Sequence, residues 1–104
     1  MLIVLTTVQK KSEGEKIAKS LVEKHLAACV NIVKLERSIY RWEGKIKEDG
    51  EYLLIIKTSD RSFLRLEREI KNLSTYDMPE ILAIKTAKGS KRYIDWVNHS
   101  CLSF

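Results

Sequence analysis

Four stretches of the chain are rich in β-branched and other apolar residues. Two of them, "LIVLTTV" at 2–8 and "EYLLIIKT" at 51–58, have apolar runs at successive positions, which is typical of strands covered on both faces. The stretch "CVNIVKLERSIYRW" at 29–42 has apolar residues in both phases of a two-residue period, so we expect one long strand with a bulge near 32–34. The fourth predicted strand is "ILAIKTA" at 81–87.

Helical spacing of apolar residues predicts a helix after the first strand. Ser12 and Glu15 have the spacing of a capping box, so this helix is expected to begin near Ser12. Its buried stripe is expected to run through Ile17 and Leu21 to Ala28.

Two more helices are predicted further along the chain. Ser59 or Asp60 is expected to cap the second helix, which ends before the single proline, Pro79. Its apolar stripe consists of Phe63, Leu66, Ile70 and Leu73. The last helix is expected to present Tyr93, Val97 and Cys101 on one side, with Trp96 beside them.

The order of these elements predicts the topology. Asp49-Gly50 is a hairpin signal, so strands two and three are expected to form a hairpin that turns there. Strand, helix, strand, strand, helix, strand and a last helix is the α+β, ferredoxin-like arrangement, an antiparallel sheet with helices on one face and strands one and three at its centre. We expect residues 1–104 to form one domain.

The central strands predict an assembly. Helices cover one face of such a sheet, yet strands one and three are apolar on both faces. The second face therefore also needs cover, and we expect a homo-oligomer that packs sheet against sheet.

Composition narrows the class of protein. With 44% hydrophobic and 32% charged residues, the chain has the balance of a water-soluble domain. The net charge of +5 comes from Lys and Arg interleaved with acids, so no nucleic-acid patch is expected, and the apolar runs are too short to cross a membrane. The first residues lack the features of a signal peptide and the chain has only two cysteines, which predicts a cytoplasmic protein. A single Gln beside many Lys and Glu favours a heat-adapted source.

Catalytic motifs are missing from the sequence. No phosphate loop, HExxH or GxSxG is present, so we do not expect an enzyme. An acylphosphatase would need an Arg after strand one, where this chain has Lys10 and Lys11. His25 and Cys29 have a spacing that could hold a metal, but a structural role for both residues is favoured.

The stretch "SIYRWEGKI" at 38–46 is a candidate interface. Tyr40 and Trp42 lie one pleat apart, so both point to one side of a strand. Paired aromatics of this kind more often pack against a partner than bind a cofactor. We therefore expect Tyr40 and Trp42 to contact a partner, with Glu43 at the rim.

Six segments, in order and over nearly the whole chain, resemble the CutA divalent-cation-tolerance proteins. They are "LTT", "LAACVNI", "SIYRWEGKI", "LIIKT", "YDMPEI" and "YIDWV". The resemblance implies a ferredoxin-like subunit in a tight homotrimer, with long hairpins wrapped around neighbouring subunits. It also implies a link to divalent-metal tolerance without a general catalytic activity or a required cofactor, and an architecture similar to the trimeric PII regulators.

The resemblance assigns candidate site residues position by position. Those in the hairpin are Tyr40, Trp42, Glu43, Gly44 and Lys45. Those outside it are Lys57 and Thr58 at the end of strand three, Tyr76, Asp77, Pro79 and Glu80 in a segment that lines a cleft between subunits, and Trp96 in the last helix.

This chain departs from the family at positions that matter for metals. Many members have His-Pro before the cleft tyrosine, where this chain has Ser74 and Thr75, and some have a Cys where it has Thr6. Of the copper ligands that the family implies, only Glu80 remains, and one carboxylate is a poor site for a soft metal. Any binding of copper or another divalent cation is therefore expected to be weak.

Two hypotheses follow from the residues and the resemblance. The first is a non-enzymatic homotrimer of the metal-ion response, with a polar cleft of Lys57, Tyr76, Asp77 and Glu80 between subunits that takes a divalent ion or a small anion. The alternative is a PII-like signalling or scaffold trimer that binds a metabolite or a protein.

Overall fold

The computed structural model describes residues 1–101 and confirms the ferredoxin-like topology. The elements in chain order are β1 (Leu2–Val8), α1 (Lys11–Glu23), β2 (Cys29–Trp42), β3 (Lys45–Thr58), a 3-10 turn (Asp60–Ser62), α2 (Phe63–Leu73), β4 (Leu82–Lys85) and α3 (Lys91–Ser100). The sheet order is β2-β3-β1-β4, and every pair is antiparallel. The two strands with unbroken apolar runs, β1 and β3, therefore lie at the centre, as predicted.

The core lies on one face of the sheet. Its fully buried side chains come from alternate positions of the two central strands and from the inner faces of α1 and α2. They are Val4, Val8, Leu54 and Ile56 on the strands and Ile17, Leu21, Leu66 and Ile70 on the helices. Helical and strand periodicity thus converge on one apolar layer.

The opposite face of the sheet, which we call the open face, carries the other alternate side chains of each strand. Residues paired in register share a face, so Leu5 lies beside Ile55 on one side and Leu82 on the other. The apolar members of this open face are Ile3, Leu5, Leu53, Ile55, Val33, Leu35, Leu82 and Ile84. All of them keep some exposure to solvent in the single subunit.

The start of α1 differs from the predicted capping box. The helix begins at Lys11, its N-cap is Lys10, and no side chain caps it. The carboxylate of Glu13, in the first turn of the helix, instead accepts hydrogen bonds from Thr75. The expected Ser12–Glu15 pair was therefore wrong.

The end of α1 comes earlier than the apolar stripe predicted. His25 has φ 58°, its N–H donates to the Val22 carbonyl, and the N–H of Leu26 donates to the Leu21 carbonyl. These bonds form a Schellman motif, which ends a helix, and the buried pair Leu21 and Leu26 closes it. Ala28 therefore follows the helix and does not extend its stripe.

The hairpin turns at Glu43–Gly44, which corrects the prediction of Asp49-Gly50. Both turn residues have positive φ, 51° and 76°, as the tight two-residue hairpin turn requires. Gly50 lies inside β3 opposite a bulge, because the pairing shifts by one residue between Leu35 and Ser38. A glycine in a strand often marks such a bulge.

The bulge is also further along β2 than predicted. Apolar residues near 32–34 belong to a regular strand with two apolar faces, and the extra residue is inserted only after Leu35. Because one inserted residue reverses the alternation, Tyr40 and Trp42 lie on the same face as Val33 and Leu35. We call the part of the hairpin beyond the bulge, residues 38–49, the hairpin arm. The bulge therefore places the aromatic side chains of this arm on the open face.

The second helix begins later than predicted. A 3-10 turn at Asp60–Ser62 precedes α2, and no side chain of Ser59 or Asp60 caps a helix. The buried hydroxyls of Ser59 and Ser62 instead lie 2.9 Å apart. None of the helices within residues 1–101 is long and apolar enough to cross a membrane.

Glu69 of α2 joins this helix to α1, and removal of its carboxylate is expected to weaken the packing of the two helices. Its Oε2 accepts hydrogen bonds from Lys24 Nζ at 2.6 Å and from Ser20 Oγ at 2.5 Å, and these bonds lower the pKa of the Glu69 carboxyl. Glu69→Gln should reduce the free energy of unfolding by about 1 kcal/mol at pH 7.

The pH dependence of that loss distinguishes a charge effect from packing. A carboxyl with a lowered folded-state pKa stabilises the fold above its unfolded pKa, and this contribution is lost as pH falls through the folded value. Urea unfolding from pH 7 down to pH 3 should therefore show the difference between Glu69→Gln and the parent shrinking. Glu67→Gln, which removes an exposed i,i+4 pair with Lys71, should cost less than about 0.5 kcal/mol; an equal cost would contradict this assignment.

Candidate functional site

The start of the loop after α2 is held in place by polar contacts. Thr75 donates its N–H to Glu13 Oε2 at 2.8 Å, which fixes the loop to α1. Ser74 Oγ accepts the Tyr76 N–H at 3.1 Å, forming a side-chain turn that orients the tyrosine. Ser74 and Thr75 thus have structural roles at positions where the resemblance implied a metal ligand.

Tyr76 and Tyr40 each donate to a carboxylate of β3. The Tyr76 hydroxyl donates to Glu51 Oε2 at 2.5 Å, and the Tyr40 hydroxyl donates to Asp49. Glu51 and Asp49 are two residues apart on one strand, so their side chains leave the same face. The result is a phenol–carboxylate cluster of Tyr40, Asp49, Glu51 and Tyr76.

The cluster keeps both phenols protonated. Partial burial, followed by the hydrogen bond to Glu51, raises the pKa of Tyr76 well above the usual value of a tyrosine. The hydrogen bond to Asp49 raises the pKa of Tyr40 in the same direction. At neutral pH the phenols are therefore neutral and act as hydrogen-bond donors.

An open depression adjoins Tyr76. Its volume is about 460 Å³, and Glu67, Lys71, Tyr76, Asp77, Met78, Pro79 and Ile81 line it. Glu80 is outside this lining and is exposed. The predicted cleft segment therefore presents Tyr76 and Asp77 together, with Glu80 on the neighbouring surface.

Lys57 lies far from this loop within one subunit. It is on the open face of β3, where its Nζ donates to Asn31 Oδ1. Glu51, the partner of Tyr76, is six positions earlier on the strand, which corresponds to about 20 Å. A single subunit thus does not bring Lys57 to Tyr76.

Of the remaining predicted residues, Thr58 is buried and donates its hydroxyl to the Leu26 carbonyl at 2.7 Å, a structural role, whereas the two tryptophans and Glu43 lie at the periphery. Trp42 and Glu43 are at the tip of the hairpin, where Glu43 occupies the turn. Trp96 is on α3 with its ring 5.6 Å from that of Tyr93, and 49% of its surface is exposed. Neither tryptophan is part of the lining of the depression beside Tyr76.

The donors present do not fit a resident metal within one subunit. Among residues 1–101 there is no group of three or more His, Cys, Asp or Glu side chains that could hold an ion. Thr6 is 1% exposed and belongs to the core face of β1, so it faces away from the open face. Glu80 therefore belongs to no such group in the part of the chain that the structure describes.

Sequence reasoning missed Asp49, Glu51 and Glu13. A carboxylate in a predicted strand or on a helix is typical of a solvated surface, and nothing local in the sequence distinguishes these three. Their partners Tyr40, Tyr76 and Thr75 are 9, 25 and 62 residues away, so the pairs become visible only in the folded chain.

Tyr76→Phe is expected to lower the free energy of unfolding by about 1–2 kcal/mol at neutral pH, because the lost hydroxyl donates to a carboxylate. A tyrosine with a raised folded-state pKa contributes this stability below its unfolded pKa and loses it as pH rises through the folded value. In an absorbance titration the variant should therefore lack the last tyrosine to ionise. The control is Tyr93→Phe, whose hydroxyl has no hydrogen bond within residues 1–101; if it matched Tyr76→Phe in cost, the Glu51 contact would not be the cause.

The comparisons with known proteins agree with the fold and extend over nearly the whole chain. Residues 2–100 match the family model described as CutA1 divalent ion tolerance protein. The chain is 46% identical over 98 residues to the divalent-cation tolerance protein CutA of Thermus thermophilus, covering 94% of this chain and 95% of that protein. It is 41% identical over 99 residues to the chloroplastic CutA of Arabidopsis thaliana, covering 95% of this chain and 54% of that longer protein.

A solved structure shows the same architecture. The PII-like protein CutA from Nostoc sp. PCC 7120 in its apo form is 35% identical, covers 100% of both chains and superposes with a TM-score of 0.92. The match of the family model over residues 2–100, the sequence identity and the shared fold lead to one conclusion: this chain belongs to the CutA1 divalent ion tolerance protein family.

Proposed function

We propose that the protein is a non-enzymatic homotrimer of the divalent-cation response, assembled by burying the open face of each sheet. The observation that carries this proposal is the apolar open face itself. Leu82 and Ile84 on its edge strand are 56% and 52% exposed in the single subunit. Burial of such a surface stabilises an assembly by roughly 25 cal/mol per Å² of apolar area.

The hairpin arm supports the same proposal. Beyond the bulge the arm has apolar side chains on its second face as well, since Ile39 and Ile46 are 67% and 61% exposed. On the first face Tyr40 and Trp42 continue the open face of the sheet. An arm that exposes large apolar side chains on both faces, in a molecule 44 Å long, fits contact with neighbouring subunits.

Assembly would also complete the predicted cleft. Lys57 lies on the open face, whereas Tyr76 and Asp77 lie near the other end of β3, so these groups meet only if a second subunit supplies one of them. A cation in the cleft would need carboxylates from more than one subunit, because one subunit offers no three-donor group within residues 1–101. We therefore propose weak, shared binding of a divalent cation, with Glu80 and Asp77 as donors and Lys57 available to a small anion.

Light scattering behind size exclusion at micromolar concentration tests the assembly. The expected mass is three times the 12.1 kDa of the chain. A mass of one or two chains would contradict the trimer.

Calorimetric titration tests the ligand separately. Cu²⁺ or Zn²⁺ should bind the parent weakly, and Glu80→Gln should reduce the heat. Glu23→Gln, a neutralised carboxylate on the exposed end of α1, should leave it unchanged. If Glu80→Gln and Glu23→Gln lowered the heat of binding equally, the ion would not bind at Glu80. Heat on titration with nucleotides but not with either metal ion would favour a small anion as the ligand.

A PII-like signalling or scaffold role is the second candidate, and the likeness to the PII-like protein of Nostoc sp. favours it. In this role the hairpin aromatics would contact a protein or metabolite. A partner whose binding is lost on Tyr40→Ala but kept on Glu80→Ala would support the role, and the reverse pattern would support the cation site.

We also infer that the protein is not an enzyme and that it resides in the cytoplasm. The missing catalytic motifs support the first inference. The two cysteines support the second, because both are free thiols in the fold, as expected in a reducing compartment. Turnover of an acyl phosphate would contradict the first inference. Recovery of the protein in another cell fraction would contradict the second.

A further inference from the structure

The outer face of α2 carries an unusual group of residues. Arg61, Leu64, Arg65 and Arg68 are spaced three and four apart, so they lie side by side on the helix and its leading turn. Arg68 is on the side of the helix opposite the buried Leu66 and Ile70. We call these four residues the α2 basic patch.

Leu64 is exposed at the centre of the patch. Its side chain is 70% accessible, although α2 already buries Leu66 and Ile70 in the core. The leucine is therefore not needed to hold the helix on the sheet. It provides an apolar contact point between guanidinium groups.

The acids of α2 do not neutralise the patch. Glu67 pairs with Lys71 at 3.3 Å, and Glu69 pairs with Lys24 of α1 at 2.6 Å. Within residues 1–101, Arg61, Arg65 and Arg68 form no ion pair with any carboxylate. Three guanidinium groups thus lie on one surface without an ion pair, with Arg61 and Arg68 exposed and Arg65 half-buried.

The patch does not serve the stability of the helix. Like charges three or four residues apart repel and cost a helix roughly as much as an opposite pair would stabilise it. Arg65 with Arg68 is such a pair within α2, and Arg61 adds a third positive charge from the 3-10 turn that precedes the helix. An arrangement that costs stability and leaves its charges unpaired is better explained by a partner.

The position of the patch makes it accessible to a partner. The helices cover the core face of the sheet, and the α2 basic patch is on their outer side, away from the open face. Burial of the open face between subunits would therefore leave the patch in solvent. The patch shares no residue with the lining of the depression beside Tyr76, although Glu67 and Lys71 of that lining are its neighbours on α2.

We propose that the α2 basic patch docks an acidic segment of a partner protein, one that places carboxylates around an apolar side chain. Guanidinium groups bind carboxylates through two parallel hydrogen bonds, which suits arginine more than lysine. The apolar side chain of the segment packs on Leu64, a contact that a simple polyanion does not use. This function goes beyond cation response and is independent of the ligand in the cleft.

Selection from a random-peptide library displayed on phage tests the proposal directly. The parent protein should enrich peptides with several Asp or Glu and one large apolar residue. Arg68→Glu should fail to enrich them, and a synthetic copy of a selected peptide should bind this variant at least roughly tenfold more weakly. The variant should fold, because a carboxylate at position 68 would form favourable i,i+3 pairs with Arg65 and Lys71.

The matched control is Arg92→Glu, the same charge change on the exposed face of α3. It should leave the peptide affinity within about twofold; an equal loss in both variants would show a response to net charge and overturn the proposal. Replacing the apolar residue of the peptide by Ala should weaken binding to the parent but not to Leu64→Ala. Selection without acidic enrichment, or equally tight binding of polyphosphate or of phosphatidylglycerol vesicles at the patch, would also overturn it.

Discussion

Ile55→Glu is expected to convert the proposed trimer into single chains. Ile55 lies on the central strand β3, between Leu5 of β1 and Asn31 of β2, in the middle of the open face. If that face is buried between subunits, the substitution places a carboxylate in each interface without a partner. Burying an unpaired charge costs several kcal/mol, and the trimer would bear this cost once per subunit.

The experiment separates loss of assembly from loss of fold. Light scattering should show the mass falling from three chains to one, while far-UV circular dichroism keeps its native shape at low temperature, since the core face of β3 is unchanged. Val22→Glu introduces the same charge on the exposed face of α1 and should leave three chains. If Ile55→Glu retained the parent mass, the open face would not be the interface.

The topology could be predicted because it depends on patterns that extend over whole elements. Continuous apolar runs identify strands that need cover on both sides, and β1 and β3 do lie at the centre of the sheet. Element ends were harder because they depend on one backbone conformation. His25 adopts φ 58° to end α1, a role that glycine usually fills, so no residue type marked the end.

The hairpin shows the same limit. Two glycines, Gly44 and Gly50, compete for the turn, and Asp49-Gly50 is the better local match to a hairpin signal. The alternation of the whole β2–β3 pair decides otherwise, since a turn at Glu43–Gly44 lets both strands run 14 residues and leaves Gly50 opposite the bulge. Register is a property of two strands together, and neither strand alone reveals it.

The candidate site was only partly predictable for a related reason. Family resemblance indicated Tyr76 and Asp77, and the structure places both beside one depression. The carboxylate that accepts the Tyr76 hydroxyl, Glu51, is distant in sequence and looks like any charged strand residue. The resemblance also indicated Lys57. This residue does not share a site with Tyr76 inside one subunit.

Leu54→Ala is expected to cause the largest loss of stability among single core changes, about 2–5 kcal/mol, because Leu54 is fully buried on the central strand. A Cβ added at Gly14 would lie 3.2 Å from Leu54 Cδ1 and 3.1 Å from Val8 Cγ2. Gly14→Ala alone should therefore overpack the contact between α1 and the sheet. The net cost should be about 0–2 kcal/mol, since alanine also favours the helix by about 1 kcal/mol.

Combining the two changes should recover part of the loss. Removing the Leu54 side chain opens space where the added methyl group of Gly14→Ala can lie, so Gly14→Ala should be stabilising in the Leu54→Ala background. The coupling energy from denaturant unfolding at fixed protein concentration should be about 1 kcal/mol or more. Leu66→Ala with Gly14→Ala is the control pair, because Leu66 is not among the closest neighbours of that Cβ; its costs should add within about 0.5 kcal/mol. Equal effects of Gly14→Ala in the parent and in Leu54→Ala would mean that the close approach of α1 to β3 is not what requires glycine at this position.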